Sequence, residues 1–282
     1  MPGIILLIIF SIVPMFGISI AFQDFVPAKG IFNSEWIGLE NFKYMLLLPD
    51  SKQIFLNTII IALSKIIVNL FVPFIFALIL NEVRHVLFKR TVQTVVYLPH
   101  FLSWVILAGI MINLFTLDGF VNHIIKFFGY EPIMFLTSNF WFRPILVFSD
   151  VWKEFGFNTI IYLAALTGIN DALYEAAAID GANRFQRIIH VTIPGILATV
   201  VLLATLSLGN VLNAGFEQIL NMYNPLVYSS VDIIDTYVYR AGLQEMQFGL
   251  ATAVGLLKSV VSFILIVISY RLAYKYTDYR IF

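Results

Sequence analysis

Residues 188–216 read IIHVTIPGILATVVLLATLSLGNVLNAGF, a run without a single Asp, Glu, Lys or Arg. A second stretch, residues 91–117, is equally free of these four residues. A helix that crosses the hydrocarbon core of a bilayer needs about 20 mostly apolar residues. Both stretches exceed that length, so they predict membrane-spanning helices.

The composition of the whole chain points to the same class of protein. Hydrophobic residues make up 60% of the 282 positions and charged residues only 12%. A soluble fold of this length could not bury so much apolar surface, because single cores stop growing near ~250–300 residues. A soluble enzyme and a disordered chain are therefore disfavoured, and the formal net charge of zero disfavours a nucleic-acid binder. The chain has no cysteine, which excludes disulfides and thiolate metal sites.

Six stretches are long and apolar enough to span a bilayer, and they predict an all-α polytopic membrane protein with one transmembrane domain, residues 1–282. The predicted spans are approximately residues 3–23, 57–80, 92–116, 144–168, 190–212 and 247–270. The first apolar run is longer than a typical signal-peptide core and no basic region precedes it, so we interpret it as a true span.

Lys and Arg are unevenly distributed over the loops that these spans define. Eight of them occur in 46 positions of one set of segments, namely residues 81–91, 169–191 and 271–282. Six occur in the 94 positions of the other set, namely residues 24–56, 117–143 and 213–246. Because cytoplasmic loops carry the excess of positive charge, we expect the first set, and with it both termini, to be cytoplasmic.

The predicted loop between the fourth and fifth spans contains the sequence YEAAAIDGA at positions 174–182. Asn170 or Asp171 can cap a short helix at its start, and Asp180 can cap the helix that follows. Pro194 can open the fifth span, where a missing N–H costs little. Three successive alanines make the first helix thin enough to enter a groove on a partner. An ordinary helical hairpin between two spans is the alternative interpretation.

This loop resembles the signature loop of ABC importer permeases. The likeness is carried by Glu175, Ala176, Ala177, Gly181, Val191, Ile193 and Pro194, with Val and Ile where Ile and Leu are usual. The flanking sequence resembles the sugar-importing branch, and within it the permeases for complex oligosaccharides and polysaccharide fragments. The segments that carry this finer likeness are residues 21–25, 36–42, 152–153, 162–166, 221–225, 235–240 and 253–259.

The resemblance implies a type I ABC importer permease fold within a larger complex in the bacterial cell membrane. A homologous second permease would complete the path, two ATPase subunits would dock on the cytoplasmic side, and an extracellular sugar-binding lipoprotein would deliver the oligosaccharide. The coupling loop would cover about residues 171–194, with the contacts made by Glu175, Ala176, Ala177, Asp180, Gly181, Arg184 and Pro194.

ATP and Mg²⁺ would bind to the ATPase subunits, so we expect no cofactor and no enzymatic activity in this chain. One independent observation agrees. The nearest approach to a phosphate-binding loop, residues 249–259, lacks the Gly-Lys pair and lies inside a predicted span.

Charged residues inside the predicted spans are costly unless they are paired or face water. In the maltose branch of the family, sugar contacts come from spans four and five, and the resemblance implicates Asp150, Trp152, Lys153, Glu154, Asn210 and Asn213. The alternative is that these groups neutralise one another or contact the second permease. Lys65 stands alone in the sequence, and we expect it to extend outward to the interface. For Lys258 both interpretations stay open.

Two other classes of function compete with the importer. A transporter driven by an ion gradient could use Asp150 or Glu154, but it predicts broken helices in two repeated halves. An intramembrane enzyme could use the carboxylates as acid and base, but no nucleophile or metal accompanies them. The four histidines show no pair with ligand spacing, so we expect no metal site; they are His85, His100, His123 and His190.

Overall fold

The computed structural model describes residues 2–277, with side chains up to residue 271. Its principal helices, in chain order, are α1 (Pro2–Phe22), α2 (Glu40–Leu47), α3 (Ser51–Asn81), α4 (Val86–Tyr97), α5 (Trp104–Phe115), α6 (Phe120–Phe127), α7 (Asn139–Thr167), α8 (Asp171–Ile179), α9 (Arg184–Leu208), α10 (Phe216–Met222), α11 (Ile234–Tyr239) and α12 (Phe248–Thr277). Two short strands, β1 (Gln23–Asp24) and β2 (Glu35–Trp36), pair antiparallel after α1.

Within the described residues, five helical segments are long and apolar enough to cross a membrane. They are α1, α3, Trp104–Phe127, α9 and the Phe248–Arg271 part of α12. The sixth span is α7, which is 29 residues long but carries four charged side chains, namely Arg143, Asp150, Lys153 and Glu154. It packs against other helices on one side and is exposed on the other, for example at Phe148 and Ile161.

The third span differs from its prediction. Residues 92–116 do not form one helix, because α4 ends in a 3₁₀ turn at Leu98–Phe101 and α5 begins only at Trp104. Leu98 keeps helical backbone, and the chain becomes extended at Leu102, with φ −82° and ψ 141°. Ser103 then caps α5 by accepting the N–H of Ile106. The candidate span therefore runs from Trp104 to Phe127.

Helices α3 and α7 form the most extensive pair in the fold and organise the rest. Edge-to-face aromatic contacts join them at Phe76 with Phe155 and at Phe74 with Tyr162, with ring centroids 5.3 and 5.8 Å apart. The hydroxyl of Tyr162 also donates to the carbonyl oxygen of Leu70, 3.2 Å away, one turn before Pro73. Helices α4, α9 and α10 pack around α7, so its polar residues are shielded by protein.

Two prolines in long helices are accommodated in the same way. A π-helical turn, Ile8–Ile12, ends two residues before Pro14. A second one, Ile188–Thr192, ends two residues before Pro194. The wider turn tolerates a residue that lacks the N–H donor and needs room for its ring. Pro194 is the second residue of the α-helical part of α9, near the predicted start, but the continuous helix begins earlier, at Arg184.

Helix α4 packs closely on α7 at Gly156, and this contact can be tested by mutation. A Cβ atom there would lie 2.1 Å from the carbonyl oxygen of Val96, so the two backbones touch at this point. We expect Gly156→Ala to lower the free energy of unfolding by about 1–3 kcal/mol, as other overpacked cores do. Thermal unfolding in detergent measures this change.

The matched control is Gly109→Ala on α5, where a Cβ atom would meet nothing within 4 Å. Alanine favours helix over glycine by about 1 kcal/mol, so this change should be neutral or stabilising. Equal melting temperatures for the two variants would contradict the close approach of α4 to α7.

Candidate functional site

The loop between α7 and α9 folds as a capped helix, a tight reversal and a second capped turn. The side-chain oxygen of Asn170 accepts the N–H of Ala172 at 3.0 Å, so Asn170 and not Asp171 caps α8. The helix ends at Gly181, whose φ of +80° is the left-handed conformation that favours glycine. The N–H of Ala182 then bonds back to the carbonyl oxygen of Ala177 at 2.9 Å.

The cap of the next helical turn is not the predicted Asp180. Asn183 accepts the N–H of Gln186 at 2.9 Å, and the side chain of Gln186 accepts the N–H of Asn183 at 2.8 Å. This is a capping box, with both donors satisfied. Asp180 is too early in the chain to do this, because its own N–H still bonds to Ala176 at the end of α8.

Most of the predicted coupling residues are exposed on this loop, whereas Ala177 is half-buried. The exposed ones are Glu175, Ala176, Asp180, Gly181, Arg184 and Pro194. Ala177 instead lines a small cleft of about 250 Å³ together with Gln186, Arg187 and His190 from the start of α9. The bulky apolar side chains that stand out are Ile179, 86% exposed, and Phe185, 69% exposed. We did not predict these two, although isolated large apolar residues in a charged loop were the available signal.

Near the middle of α7, Lys153 and Glu154 form a cluster with His100 from the turn between α4 and α5. A carboxylate oxygen of Glu154 lies 2.8 Å from Nδ1 of His100, and the other lies 3.3 Å from Nζ of Lys153. Lys153 also donates to the carbonyl oxygen of His100 at 2.6 Å. The imidazole stacks on the ring of Phe157, with centroids 4.0 Å apart and planes 3° from parallel. The side chains of Glu154 and His100 are each 28% exposed.

Asp150 belongs to a different cluster, on the face of α7 that meets α3. Its Oδ1 lies 3.1 Å from Nζ of Lys65, and its Oδ2 accepts the side-chain N–H of Asn69 at 2.9 Å. The prediction that Lys65 stands alone and extends outward is therefore wrong, because this face of α3 is buried against α7. Trp152 is half-buried and packs against the main hydrophobic core, apart from both clusters.

Asn210 and Asn213 lie in a third place, the non-helical segment between α9 and α10. Both are exposed and line an open cleft of about 1100 Å³. The other polar or aromatic residues of this cleft are Phe216, Asp235, Tyr239, Phe248, Thr252, Lys258, Ser259 and Ser262. Nζ of Lys258 lies 2.5 Å from Oδ1 of Asp235, so this lysine is paired within the chain. The six predicted path residues thus do not share one surface.

The segment that joins α10 to α12 is held by an ion pair between Arg240 and Asp232, whose nitrogen and oxygen are 2.6 Å apart. Burial lowers the pKa of Arg240, but the hydrogen bond and charge of Asp232 outweigh it, so the pKa rises and the guanidinium stays charged. Burial and a hydrogen bond with Tyr228 raise the pKa of Tyr223 to about 12. These groups keep one protonation state around neutral pH.

Within the described residues, no three His, Cys, Asp or Glu side chains are grouped so that they could hold a metal ion. The polar groups of the cluster and the cleft are hydrogen-bonding amides, hydroxyls, carboxylates and amines beside aromatic rings. Such groups can bind a polyhydroxylated ligand without forming covalent bonds to it.

Comparison with known proteins identifies relatives over the whole chain. The polygalacturonan/rhamnogalacturonan transport system permease protein YteP of Bacillus subtilis (strain 168) is 44% identical, covering 100% of this chain and 88% of the relative. Protein LplB of the same organism is 43% identical, over 100% of this chain and 89% of that protein.

Solved structures agree with this chain in fold. A chain of a bacterial ABC transporter involved in the import of the acidic polysaccharide alginate superposes with a TM-score of 0.91 at 37% identity, covering 98% of this chain and 94% of the other. A chain of the alginate transporter in complex with an alginate pentasaccharide-bound periplasmic protein gives a TM-score of 0.90 at 36% identity, covering 98% and 93%.

The model of the family described as binding-protein-dependent transport system inner membrane component matches residues 69–281, three quarters of the chain. The match includes the loop and all the spans except the first and the start of the second. The resemblance drawn from the loop sequence is confirmed: this membrane-integral chain is a permease that belongs to the family of inner membrane components of binding-protein-dependent transport systems.

Proposed function

We propose that this chain is one of two permease subunits of an ATP-driven importer for oligosaccharides cut from acidic polysaccharides. Two findings support this substrate class. One relative is named for polygalacturonan and rhamnogalacturonan, and a solved neighbour imports the acidic polysaccharide alginate. The loop of the signature sequence is well ordered by its own caps and presents its exposed residues to a partner.

The main observation that supports a transport path is the cluster of His100, Lys153 and Glu154. It lies near the middle of a 29-residue helix, and two of its side chains are 28% exposed. Charged groups at that depth are too costly against lipid, so this surface faces a water-filled path or the second permease. The stacked rings of His100 and Phe157 beside a carboxylate suit a sugar, whose hydroxyls donate hydrogen bonds and whose ring face packs on aromatic groups.

The cleft around Asn210 and Asn213 contributes a second polar surface to the path. Amide side chains donate and accept hydrogen bonds, which matches the hydroxyl groups of a sugar. The ion pair of Lys258 and Asp235 lies in the same cleft and supplies a positive and a negative group. With no excess of either charge there, any preference for acidic sugars requires a further contribution from the second permease.

The remaining subunits supply what this chain lacks. A homologous permease completes the path, two ATPase subunits bind ATP and Mg²⁺ at the cytoplasmic loop, and an extracellular sugar-binding lipoprotein delivers the substrate. The family description names dependence on a binding protein, and the solved neighbour was captured with one. Membership of this family favours the importer over an ion-gradient transporter and over an intramembrane enzyme.

Reconstitution tests the proposed function. The full importer in lipid vesicles should hydrolyse ATP faster when its binding protein is loaded with acidic oligosaccharides, and a panel that includes neutral oligosaccharides defines the preference. Glu154→Ala and Asn213→Ala should reduce uptake severalfold while basal hydrolysis persists. Each lost hydrogen bond is worth about 0.5–1.5 kcal/mol, more where one partner is charged.

Two variants control for general damage. Ile160→Ala changes an exposed apolar position of α7, and Asn221→Ala removes an exposed asparagine outside the cleft. Both should transport normally. Normal uptake by Glu154→Ala and Asn213→Ala would overturn the path, and stimulation by neutral sugars alone would overturn the substrate class.

The coupling loop generates a second prediction. Ile179 and Phe185 are the most exposed bulky apolar residues of the loop, so they are suited to packing in a hydrophobic cleft of an ATPase subunit. Ile179→Asp should weaken copurification of the ATPase subunits or uncouple hydrolysis from uptake, because a carboxylate would be buried without a partner. Ile179→Met keeps the apolar surface and should behave normally. Full assembly and coupling in Ile179→Asp would exclude this contact.

The orientation of the chain generates a third prediction. If the α3–α4 turn is cytoplasmic, Val86→Cys should escape an impermeant thiol reagent in whole cells, whereas Phe32→Cys and Tyr130→Cys should react. All three native side chains are well exposed, and the chain has no cysteine of its own. Permeabilised cells should make Val86→Cys reactive as well. Labelling of Val86→Cys alone in whole cells would indicate the opposite orientation of the chain in the membrane.

A further inference from the structure

The non-helical segment between α9 and α10, residues 209–215, is bonded to a lysine of another helix. Nζ of Lys65 donates to the carbonyl oxygen of Ala214 at 2.7 Å and to the side-chain oxygen of Gln218, and it lies 3.1 Å from Oδ1 of Asp150. An ammonium group has three donors, and these are three acceptors. The hydrogen-bonding capacity of Lys65 is therefore used entirely inside the bundle.

The acceptors of Lys65 are themselves fixed. The amide nitrogen of Gln218 donates to the carbonyl oxygen of Leu146 and to the hydroxyl of Ser149, both at 2.7 Å. The second carboxylate oxygen of Asp150 accepts from Asn69. One cluster of side chains thus joins α3, α7 and the start of α10 around a single ammonium group.

The backbone of the segment leaves room for the lysine. Gly215 has φ +94°, and a Cβ atom there would lie 2.6 Å from Nζ of Lys65. Glycine is the residue that both adopts this conformation and leaves the space free. Glycine at position 215 therefore allows Nζ of Lys65 to approach the backbone of the segment.

The same segment carries the exposed asparagines of the cleft. Leu212 and Ala214 are buried against the bundle, whereas Asn210 and Asn213 are exposed in the cleft. Turn hydrogen bonds link neighbouring residues of this segment, among them the one from the N–H of Asn213 to the carbonyl oxygen of Asn210 at 2.8 Å. These bonds are local, so they do not fix the segment relative to the bundle. The bond from Lys65 to Ala214, next to Asn213, supplies a fixed point.

We propose that Lys65 and Asp150 are positioning residues that clamp segment 209–215 and so aim Asn210 and Asn213 at the passing sugar. This inference rests on the proposed function of the two asparagines. It also changes the role expected for Asp150, which then orients the path through Lys65 and does not contact sugar.

The test uses the assembled importer in lipid vesicles and the double variant K65M/D150N. Methionine keeps the apolar stem of lysine, and asparagine keeps the shape of aspartate, so no charge is left buried without a partner. A nitroxide attached at Asn210→Cys reports the motion of the segment. We expect a more mobile line shape and, in the importer without this introduced cysteine, a severalfold loss of oligosaccharide uptake.

The control is K126M/D118N, which neutralises an exposed ion pair between α6 and the turn that precedes it, outside the cleft. It should leave the nitroxide immobile and uptake unchanged. If K65M/D150N does not assemble, Gly215→Ala replaces it, because the added methyl group displaces the lysine while both charges remain. An immobile nitroxide in the clamp variant overturns the proposal, as does a mobile one with unchanged uptake. Lack of uptake by the unmodified importer would instead overturn the proposed function, and the line shapes would still decide whether the clamp exists.

Discussion

The hydrocarbon interior of a bilayer offers no water to a buried ammonium or carboxylate, so each charge within the spans must be neutralised by the protein. The chain meets this constraint by placing its most polar helix, α7, against α3 and behind other helices. Lys65 and Asp150 neutralise each other at the contact between the two. The same constraint explains why the charges that remain partly exposed, Glu154 and its neighbours, are informative about function.

The sequence predicts the spans well and their mutual contacts poorly. Apolar runs of sufficient length identify the helices, because the requirement acts on each segment separately. The partner of Lys65 is 85 positions away in Asp150, and neither hydropathy nor helical spacing shows which faces of two helices meet. Hydropathy did not predict the break between α4 and α5 either, since residues 92–116 remain apolar on both sides of it.

The candidate site was predictable where its geometry is local. The fold of the predicted coupling loop depends on residues within one turn of each other, although Asn183 and not Asp180 is the second cap and α9 begins at Arg184, before Pro194. The path residues were predicted from a resemblance along the chain, and they fall in separate places because tertiary contacts distribute them. His100 contacts Glu154 across 54 positions, so no local sequence pattern predicts this contact.

The π turn at Ile188–Thr192 has a consequence for how motion passes along α9. A turn of this kind holds one residue more than an α-helical turn, which offsets the helix face on its two sides by about 100°. The end with Arg184 and the part beyond Pro194 are therefore out of phase with each other. Conversion of this turn to regular helix would twist the end that bears the predicted coupling residues relative to the span. A displacement of the loop would then rotate the membrane part of α9 about its axis and not only shift it along that axis.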